Sequence, residues 1–339
     1  MNEQTQFIKR PADRAAWLDA RRGFVGGSDV AALCGLSPWR TAIDIFLDKS
    51  GRAPDEGEPS EALRLGVELE DYAARRYTET TGRAVRKYGF MVVRGHALAD
   101  VDRLIVPDGE KVAAFREEVR TDGILECKTS GMLWDGDEPP QHYQAQAQLY
   151  AELLDCAFVD FAVVFLAPRR DFRVYRVERD REIGAELCRR IEAFWSACIV
   201  PDDAEAVTPF VRSLEDARSL FPRGGGEAKE ADADTAGRIR ALRKTEADIK
   251  QLTAHADKLR GEIAAFMGEA DALTVDGKVA ATFRAPKPTD KIDFKGAFED
   301  LALALHADAM QTAGIVSKHR TLVNPARRFL LKAERGAKE

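Results

Sequence analysis

The segment that most constrains the fold is Gly123-Ile124-Leu125-Glu126-Cys127-Lys128-Thr129, a strand-forming run that carries two charges. Side chains two residues apart on a strand point to the same face, so Glu126 and Lys128 lie side by side while Cys127 faces the other way. A carboxylate and an ammonium are costly to bury unless they are paired or bound to something. The segment therefore predicts either a surface strand with an ion pair or a functional strand whose charges have a ligand.

Predicted strands and helices alternate on both sides of this segment. The run 157–166 is nearly all apolar, which predicts a central strand buried on both faces of a sheet. Helical spacing of apolar residues predicts helices over 61–81 and 141–153, and the latter is rich in glutamine. Further segments with strand patterns are 85–93, 96–106 and 172–177, and 112–119 fits another strand or an irregular insertion.

Two aspartates of the predicted strand 96–106 are candidates to join Glu126. Asp100 and Asp102 share one face of the predicted strand 96–106, so either one can lie beside Glu126 if the two strands pair. His96 is on that same face, although a single histidine is more often structural than a ligand. The sequence leaves open which aspartate joins Glu126.

The segment Arg21-Arg22-Gly23-Phe24-Val25-Gly26-Gly27-Ser28-Asp29 opens into an apolar helical run. Glycines followed by Ser-Asp at a helix start can present backbone N–H groups and a hydroxyl to an anion. Arg21 and Arg22 can add charge-assisted hydrogen bonds. The same pattern also suits a plain N-cap, in which Ser28 or Asp29 satisfies the first helical turn.

Composition excludes several classes of protein. The five cysteines are scattered without a C-x-x-C pair, which argues against a disulfide framework or a zinc site and favours a reducing cytoplasm. The net charge of −6 is not that of a generic DNA-coating protein. The N-terminus has no apolar signal core and the chain has no membrane-length apolar run, so we expect neither secretion nor membrane contact.

The C-terminal third has a different pattern. We expect a first domain over 1–205, a linker over 206–230 and a helical extension over 231–339. A heptad stripe in the extension fits a coiled coil with a partner or a helix docked on the first domain; it comprises Ile249, Leu252, Ala256, Leu259, Ile263 and Phe266. A small β-hairpin is predicted around Asp276-Gly277, and the basic tail 318–332 fits either DNA-backbone contact or a solvated tail.

The order of these motifs resembles the PD-(D/E)XK nuclease core: a helix with Glu70, a strand with Asp102, a strand with Glu126-x-Lys128, and a helix with Tyr-x-x-Gln-x-Gln. Three further features narrow the resemblance to one family within this group. They are the Arg-x-Gly and Gly-Gly-Ser-Asp opening, the Gly-x-x-x-Glu helix and a tryptophan after Lys128. Together they resemble the YqaJ family of phage-type recombination nucleases, relatives of phage lambda exonuclease, over about residues 10–200.

This resemblance implies an α/β (α+β) fold with a PD-(D/E)XK restriction-endonuclease-like core, in which helices flank a central mixed sheet, and a helical C-terminal extension. It also implies that Asp102 and Glu126 hold Mg²⁺, for which Mn²⁺ can substitute. Glu70 would support that site directly or through water. Lys128 would position the attacking water, and Gln146 would hydrogen-bond the water or Lys128.

The resemblance further implies a DNA-binding pocket next to the catalytic residues. Ser28, with Arg21 or Arg22, would hold a phosphate, and in relatives of this kind such a pocket receives a 5′-phosphorylated end. Arg21 fits the family pattern better than Arg22. Tyr143 is expected to join the residues that contact DNA.

The implied activity is that of a metal-dependent 5′-to-3′ exonuclease on linear duplex DNA ends that serves single-strand annealing recombination. An endonuclease of the same fold and a non-catalytic DNA-end-binding scaffold are the alternatives. A single-strand annealing protein as partner, a homo-oligomeric state, the cytoplasm of a bacterial host and a phage or prophage origin are expectations from the same resemblance.

Overall fold

The computed structural model describes residues 4–53, 57, 59–107, 121–167, 171–226, 228–284, 294–305 and 308–318. The chain divides into two compact units, Met1–Pro222 and Arg223–Glu339. The described strands and α-helices of the first unit are β1 (Gln6–Lys9), α1 (Arg14–Arg22), α2 (Gly27–Leu33), α3 (Ala42–Lys49), α4 (Glu61–Thr81), β2 (Val85–Lys87), β3 (Phe90–Arg94), β4 (Ala97–Ala99), β5 (Arg103–Ile105), β6 (Gly123–Ser130), α5 (Gln141–Leu154), β7 (Phe158–Phe165), β8 (Asp171–Glu178), α6 (Arg181–Phe194) and α7 (Leu214–Leu220).

The first unit is organised around a five-stranded sheet with the order β2-β5-β6-β7-β8. Strands β6 and β7 pair in parallel, whereas the other neighbours pair antiparallel, so the sheet is mixed. All eight residues of β7 are buried, which confirms the central strand predicted from the apolar run. The charged strand predicted around Glu126 is β6, and it lies in the middle of the sheet rather than at the surface.

Helices cover both faces of this sheet. Leu125 of β6 packs with Ala73 and Tyr77 of α4 on one face. Ile124, its neighbour in sequence, packs with Leu149 of α5 on the opposite face. This alternation follows from the two-residue period of a strand, and it confirms the predicted core of a mixed sheet between helices.

The predicted strand 96–106 is wrong as a single element. The structure divides it into β4, which belongs to a small β1-β3-β4 sheet, and β5, which belongs to the central sheet. The chain turns between them at Asp100, whose carboxylate accepts a 2.7 Å hydrogen bond from Trp17 Nε1 and lies 3.4 Å from Arg10 Nε. Asp100 is therefore held toward the small sheet before β5 begins.

Helix α2 packs closely against α5 because Gly27 has no side chain. A Cβ atom at Gly27 would lie 2.6 Å from Cγ of Gln146 and 2.8 Å from the ring of Tyr150. Contacts that short do not occur between carbon atoms in folded proteins, so a larger residue at position 27 would force the two helices apart. The Gly-Gly-Ser-Asp segment is thus fixed directly on the helix that carries Gln146.

The boundary between the units differs from the predicted linker over 206–230. Val207 and Leu220 are buried in the core of the first unit. Thr41 Oγ1 donates a 2.9 Å hydrogen bond to Asp216, which ties α7 to the start of α3. These apolar and polar contacts hold residues 206–222 in the first unit, and the second unit begins at Arg223.

The described elements of the second unit are α8 (Ala233–Met267), β9 (Ala272–Val275), β10 (Lys278–Thr282), α9 (Phe294–Ala304) and α10 (Ala309–Lys318). Strands β9 and β10 form the predicted hairpin, with Asp276 and Gly277 at positive φ in its turn. Along α8, residues of the heptad stripe such as Leu252 and Phe266 are 68% and 80% exposed. Within the described residues, no helix is long and apolar enough to cross a membrane. The predicted element at 112–119 and the basic tail beyond Lys318 lie outside the described residues.

Candidate active site

The pairing of β5 with β6 brings Asp102 beside Glu126. Arg103 is paired with Leu125, so the preceding Asp102 lies opposite Glu126 in the antiparallel register. The backbone N–H of Asp102 lies 3.4 Å from Glu126 Oε1, and the Asp102 carboxylate accepts a 2.8 Å hydrogen bond from the backbone N–H of Cys127. Between the two candidate aspartates, the structure places Asp102 beside Glu126 and Asp100 away from it.

Glu126 is 2% exposed and receives two side-chain hydrogen bonds on the same oxygen. Lys128 Nζ and Gln146 Nε2 each lie 2.9 Å from Glu126 Oε2. Gln146 therefore bonds to Glu126, whereas the sequence predicted a bond to water or to Lys128. Asp102, Glu126, Lys128 and Gln146, which the sequence singled out, converge within one small region of the first unit.

Two carboxylates, of Asp102 and Glu126, meet the single ammonium group of Lys128 in this region. Burial and the neighbouring Asp102 carboxylate raise the pKa of Glu126 to about 7, against the lowering effect of Lys128. Burial lowers the pKa of Lys128, but the attraction of Glu126 and Asp102 outweighs it, and the net shift is upward. Lys128 is therefore a fixed cation at neutral pH, and Glu126 is a carboxylate that further positive charge nearby would help to ionise.

Tyr143 lies beside Lys128 rather than beside the arginines. Lys128 Nζ is 5.4 Å from the centroid of the Tyr143 ring, which is within the range of a cation–π contact. The same ring lies 5.1 Å from that of Trp134, and burial raises the pKa of the Tyr143 hydroxyl. The packed rings of Tyr143 and Trp134 restrict the direction in which the Lys128 side chain can extend.

Glu70 does not join the carboxylate pair directly. It forms an ion pair with Arg103, whose side chain is 5% exposed. Arg103 also pairs with Asp71 and donates a 2.7 Å hydrogen bond to the backbone carbonyl oxygen of Asp102. Glu70 thus reaches Asp102 through Arg103, a residue that sequence analysis missed, although its place on the α4-facing side of β5 follows from strand alternation.

The carboxylate pair fits a hard divalent cation. Among the described residues, no group of three or more His, Cys, Asp or Glu side chains is close enough to hold a metal ion. Two carboxylates are nevertheless a common protein contribution to a Mg²⁺ site, whose other positions are taken by water and substrate phosphates. Asp102 and Glu126 would supply the protein ligands of such a site.

A cavity of about 660 Å³ in the first unit is lined by residues of the Arg-Arg and Gly-Gly-Ser-Asp segments. The guanidinium of Arg21 lies 4.6 Å from the centroid of the Trp17 ring, and Ser28 is exposed on the first turn of α2. Arg22 is 57% exposed and lies 3.6 Å from Asp19. Arg21 is thus the more firmly placed of the two arginines predicted to bind a phosphate.

Asp29 performs the capping role and leaves Ser28 at the cavity. The buried Asp29 carboxylate accepts a 3.2 Å hydrogen bond from the backbone N–H of Gly26. Arg40 and Lys49 lie 2.8 Å and 3.1 Å from its two oxygens. Burial raises the pKa of Asp29, but the surrounding cations, among which Lys49 has the largest effect, lower it by more. The net shift of the pKa is downward, so the carboxylate stays ionised. Sequence analysis missed Arg40 and Lys49, which no local motif marks.

Comparison with known proteins confirms the resemblance of this chain to the YqaJ family. Residues 16–156 match the model of the YqaJ-like viral recombinase domain. The uncharacterized protein YqaJ of Bacillus subtilis (strain 168) is 28% identical over 296 residues, which covers 83% of this chain and 86% of that protein.

Among solved structures, the alkaline exonuclease LHK-Exo of Laribacter hongkongensis matches with a TM-score of 0.42 and 21% identity, over 55% of this chain and 93% of that one. A phage-related exonuclease of Haemophilus somnus 129PT matches with a TM-score of 0.39 and 16% identity, over 53% of this chain and 96% of that one.

The raised pKa of Glu126 predicts a pH-dependent stability in EDTA. Between pH 4.5, where the unfolded carboxyl titrates, and about 7, the folded protein binds more protons than the unfolded chain, so stability falls as pH rises. The free energy of unfolding of the wild type should fall by on the order of 3 kcal/mol relative to that of Glu126→Gln across this range. Denaturant unfolding at several pH values measures this difference. The exposed Glu68→Gln on α4 is the control, and a difference that does not change with pH would contradict the prediction.

Proposed function

We propose that this chain, whose residues 16–156 match the YqaJ-like viral recombinase domain, is a metal-dependent nuclease that degrades linear duplex DNA from its ends in the 5′-to-3′ direction. The observation that carries the proposal is the convergence of Asp102, Glu126 and Lys128 at the middle of the central sheet. Two carboxylates and a protonated lysine at one place suit phosphodiester hydrolysis, in which negative charge develops on the scissile phosphate.

Each of the converging residues has a separate role. A bound Mg²⁺ or Mn²⁺ would lower the pKa of a coordinated water and neutralise charge on the scissile phosphate. Asp102 and Glu126 would hold that ion, and the hydrogen bond from Gln146 keeps the Glu126 carboxylate in one orientation. Glu70 contributes indirectly, because its partner Arg103 fixes the backbone of Asp102.

Lys128 acts as a cation rather than as a base in this proposal. Its pKa is raised by Glu126 and Asp102, so it keeps its proton at the pH at which the enzyme works. A protonated lysine stabilises a hydroxide or phosphate oxygen by a charge-assisted hydrogen bond, but it does not remove a proton from water. Tyr143 limits the directions in which this ammonium group can point.

The cavity next to α2 is proposed to receive the 5′-phosphate of the DNA end. Its five basic side chains outnumber its three acidic ones; the basic residues are Arg14, Arg21, Arg22, Arg40 and Lys49, and the acidic residues are Asp29, Asp44 and Asp48. Arg21 and the Ser28 hydroxyl would bind the phosphate oxygens directly. Because Gly27 seats α2 on α5, a phosphate bound there would be held at a fixed distance from Gln146 and the carboxylates.

A role in recombination is supported by the description of the matching family as a viral recombinase. We propose on that basis that the enzyme prepares DNA ends for a single-strand annealing protein in the cytoplasm of a bacterium that carries a phage or prophage. A homo-oligomer that surrounds the DNA is part of the same proposal. A light-scattering mass equal to that of a single chain would contradict the oligomer.

The nuclease proposal predicts that 5′-phosphorylated linear duplex DNA is lost in Mg²⁺ or Mn²⁺ and is intact in EDTA. Lys128→Ala should lower the rate by on the order of a hundredfold to thousandfold, because it removes a charge that stabilises the transition state. Lys9→Ala is the control, since Lys9 is exposed at the end of β1, in the small sheet. Agarose gels of samples taken over time measure the loss of DNA.

Closed circular duplex DNA in the same assay distinguishes the alternatives. Cleavage of the circle would show that the protein is an endonuclease of the same fold and not an exonuclease. Binding of linear DNA without cleavage in either metal would favour the DNA-end-binding scaffold and would contradict the catalytic roles of Asp102, Glu126 and Lys128.

The phosphate cavity predicts that the enzyme prefers 5′-phosphorylated ends to 5′-hydroxyl ends. Arg21→Ala should slow digestion of phosphorylated ends roughly tenfold to hundredfold and should change digestion of hydroxyl ends little, since it removes a charge-assisted hydrogen bond. Arg22→Ala, which removes a more exposed guanidinium, should have a smaller effect. Equal losses on both kinds of end in Arg21→Ala would mean that Arg21 does not bind the phosphate.

A further inference from the structure

Trp39 is a large aromatic residue held in place at the edge of the cavity while most of its surface is open. It lines the cavity and is 70% exposed. Its ring meets that of His142 edge to face, with centroids 4.9 Å apart and planes at 83°. The backbone N–H groups of Trp39 and Arg40 both lie within hydrogen-bond distance of Ser37 Oγ, which fixes the turn that presents the indole.

This ring also connects the cavity with the catalytic residues. His142 lies 4.1 Å from the Tyr143 ring, centroid to centroid, and Tyr143 in turn lies 5.4 Å from Lys128 Nζ. Trp39 therefore borders the basic cavity around Arg21 and is connected, through His142 and Tyr143, to the site at which a phosphodiester would be cut. A nucleotide with its phosphate in the cavity and its next linkage at Lys128 would come close to Trp39.

We propose that Trp39 stacks on the nucleobase of the 5′-terminal nucleotide whose phosphate the cavity receives. The inference rests on the proposed function, and it assigns a substrate-positioning role to a residue outside the carboxylate pair. Stacking between aromatic side chains and bases accepts every base, as a nuclease that degrades any sequence requires. Arg21 and Ser28 would then hold the phosphate of the nucleotide, and Trp39 would hold its base.

The dimensions and charges of the region agree with this assignment. A volume of about 660 Å³ lies within the range of pockets that bind whole small molecules, so it holds more than a phosphate group. The excess of basic side chains in the lining suits a phosphorylated ligand, and Trp39 adds an apolar surface at its edge. A nucleotide has this combination of an anionic group and an aromatic ring.

The chain offers a matched control in its other Trp–His pair. Trp195 stacks on His96 with centroids 4.4 Å apart, and His96 is bound to Glu192 rather than to any residue of the cavity. Trp195 is absent from the cavity lining that the described residues form. Trp39→Leu and Trp195→Leu therefore remove the same chemical group at positions with and without access to the proposed nucleotide.

The test measures DNA binding in EDTA, so that no cleavage interferes. The probe is a 5′-phosphorylated duplex with 2-aminopurine as the 5′-terminal base, whose fluorescence falls when it stacks on an aromatic ring. A second duplex carries an abasic 5′-terminal nucleotide, and its affinity is measured by competition. The proteins are wild type, Trp39→Leu, Trp39→Phe and Trp195→Leu, each shown by circular dichroism to be folded.

We expect wild-type protein to quench the terminal 2-aminopurine and to bind the abasic end about tenfold more weakly than the intact end. Trp39→Leu should lose the quenching, bind the intact end about tenfold more weakly and bind both ends equally. Trp39→Phe should recover most of the affinity, because a phenyl ring still stacks, and Trp195→Leu should behave as wild type.

Equal affinity of wild-type protein for intact and abasic ends would overturn the stacking role, as would an equal loss on both ends in Trp39→Leu. These results differ from failure of the proposed function. If wild-type protein did not prefer DNA ends to closed circles in EDTA, both proposals would fall. If it bound ends through Trp39 but cut no DNA in Mg²⁺ or Mn²⁺, only the nuclease proposal would fall.

Discussion

The hydrogen bonds that Lys128 and Gln146 donate to a single oxygen of Glu126 are the interaction on which the site depends. A buried carboxylate needs such partners, because removal of one partner of a buried ion pair leaves an uncompensated charge and costs several kcal/mol. The two donors come from the same strand and from the helix packed on it, so the interaction also fixes α5 against β6. Stability and the geometry of the site therefore have the same origin.

Helix α5 contacts both halves of the proposed DNA site, the carboxylates and the cavity. It carries Gln146 at the carboxylates and His142 beneath Trp39 at the cavity. The close contact of Gly27 with Gln146 and Tyr150 seats α2, and with it Ser28, on the same helix. A phosphate held at α2 and a phosphodiester held at β6 would thus keep a constant separation, and an enzyme that shortens DNA from its end needs such a separation.

The sequence alone predicted those features of the fold that depend on a local periodicity of residues. It did not predict the features that depend on contacts between residues distant in the chain. The two-residue period of a strand placed Glu126 and Lys128 on one face, and the apolar run predicted β7. The break between β4 and β5 depends on the contact of Asp100 with Trp17, 83 residues away in the chain. The pairing of Glu70 with Arg103 likewise joins a helix to a strand 33 residues further on, and no local pattern reveals it.

We propose that Asp102 and Glu126, and not the nearby Asp100, hold a divalent cation. Mn²⁺ can be titrated into the protein without DNA, and its binding followed by electron paramagnetic resonance. We expect Asp102→Asn to weaken Mn²⁺ binding at least about tenfold, since even indirect partners of metal ligands commonly change affinity by roughly 10–100-fold. Asp100→Asn, whose carboxylate serves Trp17, should bind as wild type. Equal binding by wild type and Asp102→Asn, or loss of binding in Asp100→Asn alone, would contradict it.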